Sequence, residues 1–434
     1  MIENPMIART DPNCQTEIQP IHTAQASDWR ELLSASTLSL AELLSQLELT
    51  YDDFILNYDG PLDADPRDFP IRAPASFIAR IQKGDINDPL LRQILPLEKE
   101  NNLMPGYTDD PLEEKDYNVA PGLIHKYRSR ALLIVTQACA IHCRYCFRRH
   151  FPYEDNRPAR RAWQQALDYL RSNANINEII LSGGDPLAVS NKQLQWLTQQ
   201  LAAIPHIKTL RIHSRLPIVL PQRIDSDFIA WLKAWPGHKV FVIHSNHANE
   251  IDVQVEQAIK NMASTGTTIL NQAVMLKGVN DCPETLVDLS QRLFNCGVLP
   301  YYLHLLDPVN GAAHFSISDA RAKHIMGEVA GLLPGYLVPK LVRELANKKS
   351  VRMNPRRQGM RRFDASVAKA MPDVDGVLDM GEGVAVIADN TWAAMQAVEA
   401  VDIDWMPAVY PETTAGLFEE IEAAFSAAPD TVGR

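Results

Sequence analysis

Ala131-Leu-Leu-Ile-Val-Thr136 runs straight into Gln137-Ala-Cys-Ala-Ile-His-Cys-Arg-Tyr-Cys146. The first half is a short continuous apolar run, as a strand buried on both faces requires. Runs of the same kind recur at Glu178–Leu181, Thr209–His213, Val240–His244, Thr268–Gln272 and Leu299–Leu306. Between them the spacing predicts amphipathic helices near 160–172, 191–203, 226–235, 253–265 and 284–295, and a further one over 317–332. Buried strands alternating with helices predict an α/β fold, a partial (β/α)6 TIM-like barrel, with a doubly wound open sheet as the competing topology. The barrel is preferred because every strand ends in polar residues. These are the cysteine loop, Ser182-Gly-Gly-Asp-Pro186, His213-Ser-Arg215, His244-Ser-Asn-His247, Asn271-Gln272, and His304 with Asp307. In a barrel such ends face one centre.

Cys139, Cys143 and Cys146 make a C-x3-C-x2-C triplet. Three thiolates without a near fourth suit three irons of a [4Fe–4S] cube and leave the fourth iron open to a ligand that is not protein. A closed zinc site takes four N or S ligands, and here it would enlist His142 or His150. Convergence of three sulfurs on one cube calls for a mobile loop, and Tyr145 and Phe147 stand where they would shield it. Gly183 and Gly184 give the backbone freedom to approach a ligand closely, or else make an ordinary turn after a strand.

With 46% hydrophobic and 22% charged residues over 434 positions, the chain reads as globular, with one large domain and a small one. Its longest apolar runs are too short to cross a bilayer, and Met1-Ile-Glu-Asn-Pro opens no secretory signal. Outside the triplet only Cys14, Cys282 and Cys296 occur, which is no disulfide framework, so a reducing cytoplasm is expected. The net charge of −11 is concentrated in residues 364–434, where 14 acids face only Lys369 and Arg434. Just before them stand Arg352, Arg356, Arg357, Arg361 and Arg362; without interleaved aromatics they read as a solvated linker, and no nucleic-acid partner is expected. Three parts follow: residues 1–118, mostly helical from the Leu and Ile spacing around 41–47 and 76–81; the barrel over 119–350; and an acidic appendage over 351–434.

The triplet resembles the signature of the radical S-adenosylmethionine enzymes, and residues 74–350 are similar to the lysine 2,3-aminomutases. The likeness is strongest to the bacterial branch that makes (R)-β-lysine for modifying elongation factor P. It is carried by His125-Lys-Tyr-Arg-Ser-Arg130, Tyr145-Cys-Phe-Arg-Arg-His-Phe-Pro-Tyr153, Arg211-Ile-His-Ser-Arg215, Asn246-His-Ala-Asn-Glu-Ile251, Pro300-Tyr-Tyr-Leu-His304 and Gly335-Tyr-Leu-Val-Pro339. The resemblance implies an isomerase acting on L-lysine with a [4Fe–4S] cluster, S-adenosyl-L-methionine and pyridoxal 5′-phosphate, served by an electron donor such as flavodoxin or ferredoxin. It is compatible with a homodimer. In that chemistry a 5′-deoxyadenosyl radical takes hydrogen from C3 of lysine, and the pyridoxal group carries the migrating nitrogen.

The resemblance also implies roles for single residues. Cys139, Cys143 and Cys146 ligate the cluster; Ser182, Gly183, Gly184 and Asp185 hold the amino end of S-adenosylmethionine. Lys126 and Arg130 clamp the pyridoxal phosphate, with lysine at 126 in place of the usual arginine and its bidentate fork. Arg148 pairs with the substrate carboxylate, while Asp307 and Glu344 grip the distal ammonium, Glu344 standing where catabolic relatives carry aspartate. His213, His244, His247 and His304 read as pocket lining.

One position breaks the pattern. Pyridoxal phosphate enzymes use a lysine, and counting without gaps from Gly335 its place falls on Val351, in Asn347-Lys-Lys-Ser-Val351-Arg-Met-Asn-Pro355. Lys348 or Lys349 serves only if the loop is shifted; otherwise both are solvated. Beside an impaired aminomutase, two alternatives therefore stand: a radical enzyme without pyridoxal chemistry acting on another substrate, and a non-enzymatic metal-binding interaction protein. After Val351 the chain departs from the family. Residues 383–405 read as a strand, a cap at Asn390, a helix and a strand Val401–Trp405. They resemble a fragment of the molybdenum subunit of xanthine dehydrogenase or aldehyde oxidase-type enzymes, without that family's catalytic residues.

Overall fold

The computed structural model describes residues 28–55, 58–66, 69–150, 160–344, 351–352, 360–380 and 384–405. Ten strands form its main sheet: β1 (Asn118–Ala120), β2 (Leu123–Tyr127), β3 (Arg130–Thr136), β4 (Glu178–Gly183), β5 (Thr209–Ser214), β6 (His238–Ile243), β7 (Thr268–Met275), β8 (Leu299–Leu305), β9 (Lys340–Arg343) and β10 (Val351–Arg352). Their order in space is their order in the chain. From β3 to β9 all neighbours are parallel, while β1 and β2 extend one edge and β10 the other in antiparallel pairs. A doubly wound sheet reverses its strand order at a switch point. Here it never reverses, so the sheet is a partial barrel and the expected fold class holds.

The barrel helices are Arg160–Ser172, Asn191–Ala202, Ser226–Ala234, Val253–Ala263, Pro283–Asn295 and Asp319–Leu332. Their starts follow from capping: Ser190, Asp225, Asp252 and Ser318 each accept a hydrogen bond from an N–H three residues on. Four strands escaped the sequence reading. β1, β2, β9 and β10 are short, and β1 and β2 are half-exposed toward their ends, so they lack the continuous apolar run that marks the interior strands. The sheet begins at Asn118 and reaches Arg352, a little beyond both edges of the expected domain.

The N-terminal expectation needs correcting. Residues 28–118 are not mostly helical but hold short helices, Trp29–Ser34, Leu40–Gln46, Asp52–Ile55, Ala75–Ile78 and Pro89–Arg92, within irregular chain. Pro74 and Pro89 stand at the starts of two of them, where a missing N–H costs nothing. The Leu and Ile spacing that suggested longer helices serves packing instead: Leu43, Leu44, Leu47, Phe77, Ile78 and Ile81 join the same hydrophobic core as the barrel strands.

Beyond β10, strands β11 (Met360–Asp364), β12 (Val374–Asp379), β13 (Val384–Ala388) and β14 (Asp402–Trp405) pair as β11 with β14 and β12 with β13. The expected strand, Asn390 cap, helix and strand are all present, with helix Thr391–Glu399 packed on a small separate core of Ala365, Ala368, Val377, Ala397 and Val401. The basic stretch is not a linker to its end. Residues from 360 belong to β11, and Arg362 Nε lies 3.1 Å from Asp404 across the pair. Among the described residues no helix is long and apolar enough to cross a membrane.

Candidate active site

A cavity of about 510 Å³ opens at the C-terminal ends of strands β3 to β9. Cys139, Cys143, Cys146, Ser182, Gly183, Gly184, Asp185, Lys126, Arg130, Arg148, Asp307 and Glu344 all line it. Residues scattered over more than two hundred positions are thus gathered by the sequential strand order. Lys348 and Lys349 lie outside the described residues. Val351 stands in β10 with its backbone opposite Arg343, next to the cavity-lining Glu344.

The cysteine loop leaves β3 and is fastened from behind. Arg144 donates its backbone N–H to the Gln93 carbonyl (2.9 Å), and its Nε lies 3.0 Å from both Glu100 carboxylate oxygens. Arg149 reaches the same carboxylate at 3.0 Å. The side chains of Arg144 and Glu100 are each only 2% exposed, so this ion pair is held without water. Each candidate for a fourth protein ligand has one ring nitrogen turned to a backbone carbonyl. His142 sets Nδ1 2.8 Å from the Pro70 carbonyl and stacks on Phe69, and His150 Nε2 lies 3.2 Å from the Asn310 carbonyl.

Burial and the neighbouring thiols push Cys139 well above the ordinary thiol range and Cys146 up to about 11. Three thiols in electrostatic reach of one another, fixed on one loop, fit an iron–sulfur cluster, whose positive irons would draw off their protons. Among the described residues no three His, Cys, Asp or Glu side chains gather around a single-ion site. A cube offers each thiol its own iron.

The glycines at the end of β4 line the cavity and also bring the backbone close to the cysteine loop. Gly184 N–H donates to the Thr136 carbonyl and Asp185 N–H to the Ala138 carbonyl, each at 2.8 Å. A Cβ on Gly183 would run into the Thr136 carbonyl, and one on Gly184 into those of Gln137 and Ala138. Asp185 is likewise committed to protein. Its carboxylate accepts from Ser214 Oγ (2.7 Å) and from the N–H groups of Leu187, Arg215 and Leu216 at 2.8–3.0 Å. Burial still raises its pKa against those four donors. Asp185 therefore ties the β4 loop to the β5 loop.

Arg148 lies against the glycine loop and meets a partner the sequence did not suggest. Its Nε and Nη2 donate to the two oxygens of Glu114 at 2.8 and 2.6 Å, and Nη1 reaches Ser182 Oγ at 3.2 Å. Arg148 is buried and Glu114 nearly so, at 7% and 14% side-chain exposure. Asp307 is driven up to about 7, first by burial and next by the nearby Glu344. Lys126 holds its ammonium 5.6 Å from the Tyr117 ring centre, and Arg130 its guanidinium 3.8 Å from that of Tyr127. Two cations lining the same cavity fit a phosphate dianion.

His213, His244 and His304 line the cavity, and among the described residues their buried Nε2 atoms have no hydrogen-bond partner. Burial, then neighbouring imidazoles and Arg211, holds His213 well below the usual imidazole range. His244 falls to about 3 by burial and the nearby Arg215, and His304 to about 4 by burial. They line the cavity as neutral imidazoles, although the hydrogen bonds expected of strand-end histidines are not made by these Nε2 atoms. His247 differs: its Nδ1 caps a turn by accepting from Asn249 N–H. The residues that sequence reasoning missed are Gln93, Glu100, Glu114 and Glu250. Their partners sit 34 to 157 positions away, and no local spacing announces such pairs.

Residues 128–210 match a family model described as a 4Fe-4S single cluster domain. The L-lysine 2,3-aminomutase of Escherichia coli (strain K12) is 47% identical over 333 residues, covering 77% of this chain and 96% of that protein. That of Haemophilus influenzae is 45% identical over 324 residues, covering 75% and 94%. A solved radical SAM methyltransferase from Sphaerobacter thermophilus is 16% identical, with a TM-score of 0.37 over 51% of this chain and 68% of that one.

Two substitutions probe this architecture. Glu114→Ala leaves Arg148 buried and unpaired and is expected to lower unfolding free energy by about 3 kcal/mol, read by urea denaturation. Gly184→Ala forces the two loops apart and should cost about 2 kcal/mol by the same measurement. Unchanged midpoints would show that neither contact holds the loops.

Proposed function

Because the chain belongs to the L-lysine 2,3-aminomutase family, we propose that it is an isomerase converting L-lysine to β-lysine, the (R) product destined for elongation factor P. When bound, the cluster and S-adenosylmethionine would supply radical chemistry and pyridoxal phosphate a carrier for the migrating nitrogen. The reading is carried by one observation: Arg148 and the Asp307–Glu344 pair line the same cavity as the three cysteine thiols. A guanidinium and a carboxylate pair are what the carboxylate and distal ammonium of lysine require. The (R) product and the elongation-factor destination rest on the sequence segments alone.

In this reading each side chain has a bounded task. Cys139, Cys143 and Cys146 hold three irons. The backbone of Ser182, Gly183 and Gly184, locked onto the cysteine loop, offers polar groups beside them for the amino end of S-adenosylmethionine, and Asp185 fixes that segment. Lys126 and Arg130 take the phosphate. Arg148, oriented by Glu114, takes the α-carboxylate, and Asp307 with Glu344 takes the ammonium. The neutral His213, His244 and His304 place no cation in competition with Arg148. A one-electron donor of the flavodoxin or ferredoxin class reduces the cluster. Anaerobic reconstitution followed by a lysine to β-lysine assay tests the whole; neither turnover nor S-adenosylmethionine cleavage would sink it.

Val351 favours a second reading, a radical enzyme without pyridoxal chemistry. Borohydride trapping with pyridoxal phosphate and peptide mass spectrometry separates the two. A labelled lysine supports the aminomutase; S-adenosylmethionine cleavage without any label supports the alternative. On the aminomutase reading, Val351→Lys should become labelled at 351 and turn over lysine faster.

Asp307 also makes the site sensitive to pH. With its pKa near 7 it is protonated in acid and holds no charge for the ammonium. The KM for lysine should therefore rise roughly tenfold per pH unit below about 7, with kcat little changed, and level off above it. Asp307→Asn should give a high, flat KM. A flat profile in the unsubstituted enzyme would remove Asp307 from the ammonium site.

A further inference from the structure

Behind the cysteine loop lies a buried charged network that the proposed roles leave unused. Arg215 follows β5 and is fully enclosed, at 7% side-chain exposure, against Glu250 at 0%. One end of its guanidinium, Nη1, donates to Cys143 Sγ (2.6 Å) and to Tyr145 Oη (2.7 Å). The other end, Nη2, donates to Gln93 Oε1 (2.6 Å) and Glu250 Oε2 (2.9 Å). Glu250 is held in turn by the Asn246 N–H (2.8 Å), the His247 N–H (3.1 Å) and Gln93 Nε2 (3.3 Å). Asn246 Nδ2 closes the ring by donating to Tyr145 Oη at 2.7 Å. Of the groups around the three thiols, this is a cation bonded directly to a sulfur and backed by a single buried anion.

We propose that Arg215 and Glu250 set the reduction potential of the cluster held by Cys139, Cys143 and Cys146, Arg215 raising it and Glu250 offsetting part of that rise. The inference rests on the reading that these cysteines hold a [4Fe–4S] cluster, and it is independent of the substrate. Reduction adds one electron, delivered by the external donor, to a cluster whose three thiolates already make it an anion. A hydrogen-bonded cation at one thiolate stabilises the more negative reduced form, and hydrogen bonds to sulfur are a known lever on such potentials. An anion behind that cation acts in the opposite sense, and little water is present to screen either. Arg215 is a positioning residue in this role, acting through Cys143.

The test is an EPR-monitored redox titration of the anaerobically reconstituted full chain, without S-adenosylmethionine or lysine, with iron and sulfide content measured on each variant. Arg215→Met should move the midpoint negative and Glu250→Gln, nearly isosteric, should move it positive. Each shift should be on the order of a tenfold change in the one-electron equilibrium, about 59 mV. Arg215→Lys, which keeps the charge without the fork, should fall between Arg215→Met and the unsubstituted protein. If Arg215→Met takes up no iron, the order of Arg215→Lys, the unsubstituted protein and Glu250→Gln decides. Equal midpoints, or shifts of the same sign from removing the cation and the anion, would overturn the proposal. An unsubstituted protein that binds no iron would instead overturn the cluster reading, and this role with it.

Discussion

The site depends on a backbone contact. The Gly184 and Asp185 N–H groups donate to carbonyls of Thr136 and Ala138, across a gap too narrow for any side chain. This lengthens the pairing of β3 and β4 past the ends of the strands and sets the glycine loop on the cysteine loop. Asp185 then carries the coupling to the end of β5 and the turn after it through three hydrogen bonds. Three consecutive strand ends thereby move as one body. Everything that a cofactor would touch on that side of the cavity inherits its position from main-chain geometry rather than from flexible side chains.

Around this frame the protein repeats one device. Arg144 is paired with Glu100, Arg148 with Glu114 and Arg215 with Glu250, and each pair is nearly or wholly buried. Such pairs add little net stability, because desolvating two charges offsets most of their attraction. Breaking one is costly, however, so each arginine has a single permitted place. Two of the glutamates come from the N-terminal region, and the third shares its bonds with Gln93 from the same region. That region therefore belongs to the site, although a count of strands and helices would leave it outside the barrel.

The barrel was legible because interior parallel strands must be apolar along their whole length, and six of them stand out against the intervening helices. The site was legible for the same topological reason: polar residues at the ends of consecutive parallel strands have one place to converge. The edge strands β1, β2, β9 and β10 were not, being short or partly exposed. Nor was the purpose of Gly183 and Gly184, since freedom of the backbone looks identical in sequence whether a ligand or another loop fills the space. The N-terminal misreading has a similar root. Leu and Ile at helical spacing in 41–47 and 76–81 satisfied the core, although the helices there run for only one or two turns.

An open barrel also has two unclosed margins, and exposed margins invite other chains to add strands. Here one outermost strand is β1, three residues long, and the other is β10, each antiparallel to its neighbour. A ladder as short as that of β1 offers few free backbone groups to template a foreign strand. The long parallel strands, which would be hazardous at an edge, are confined to the interior of the sheet. At the β1 margin the fold thus gives a foreign strand little to pair with, while the open face stays accessible.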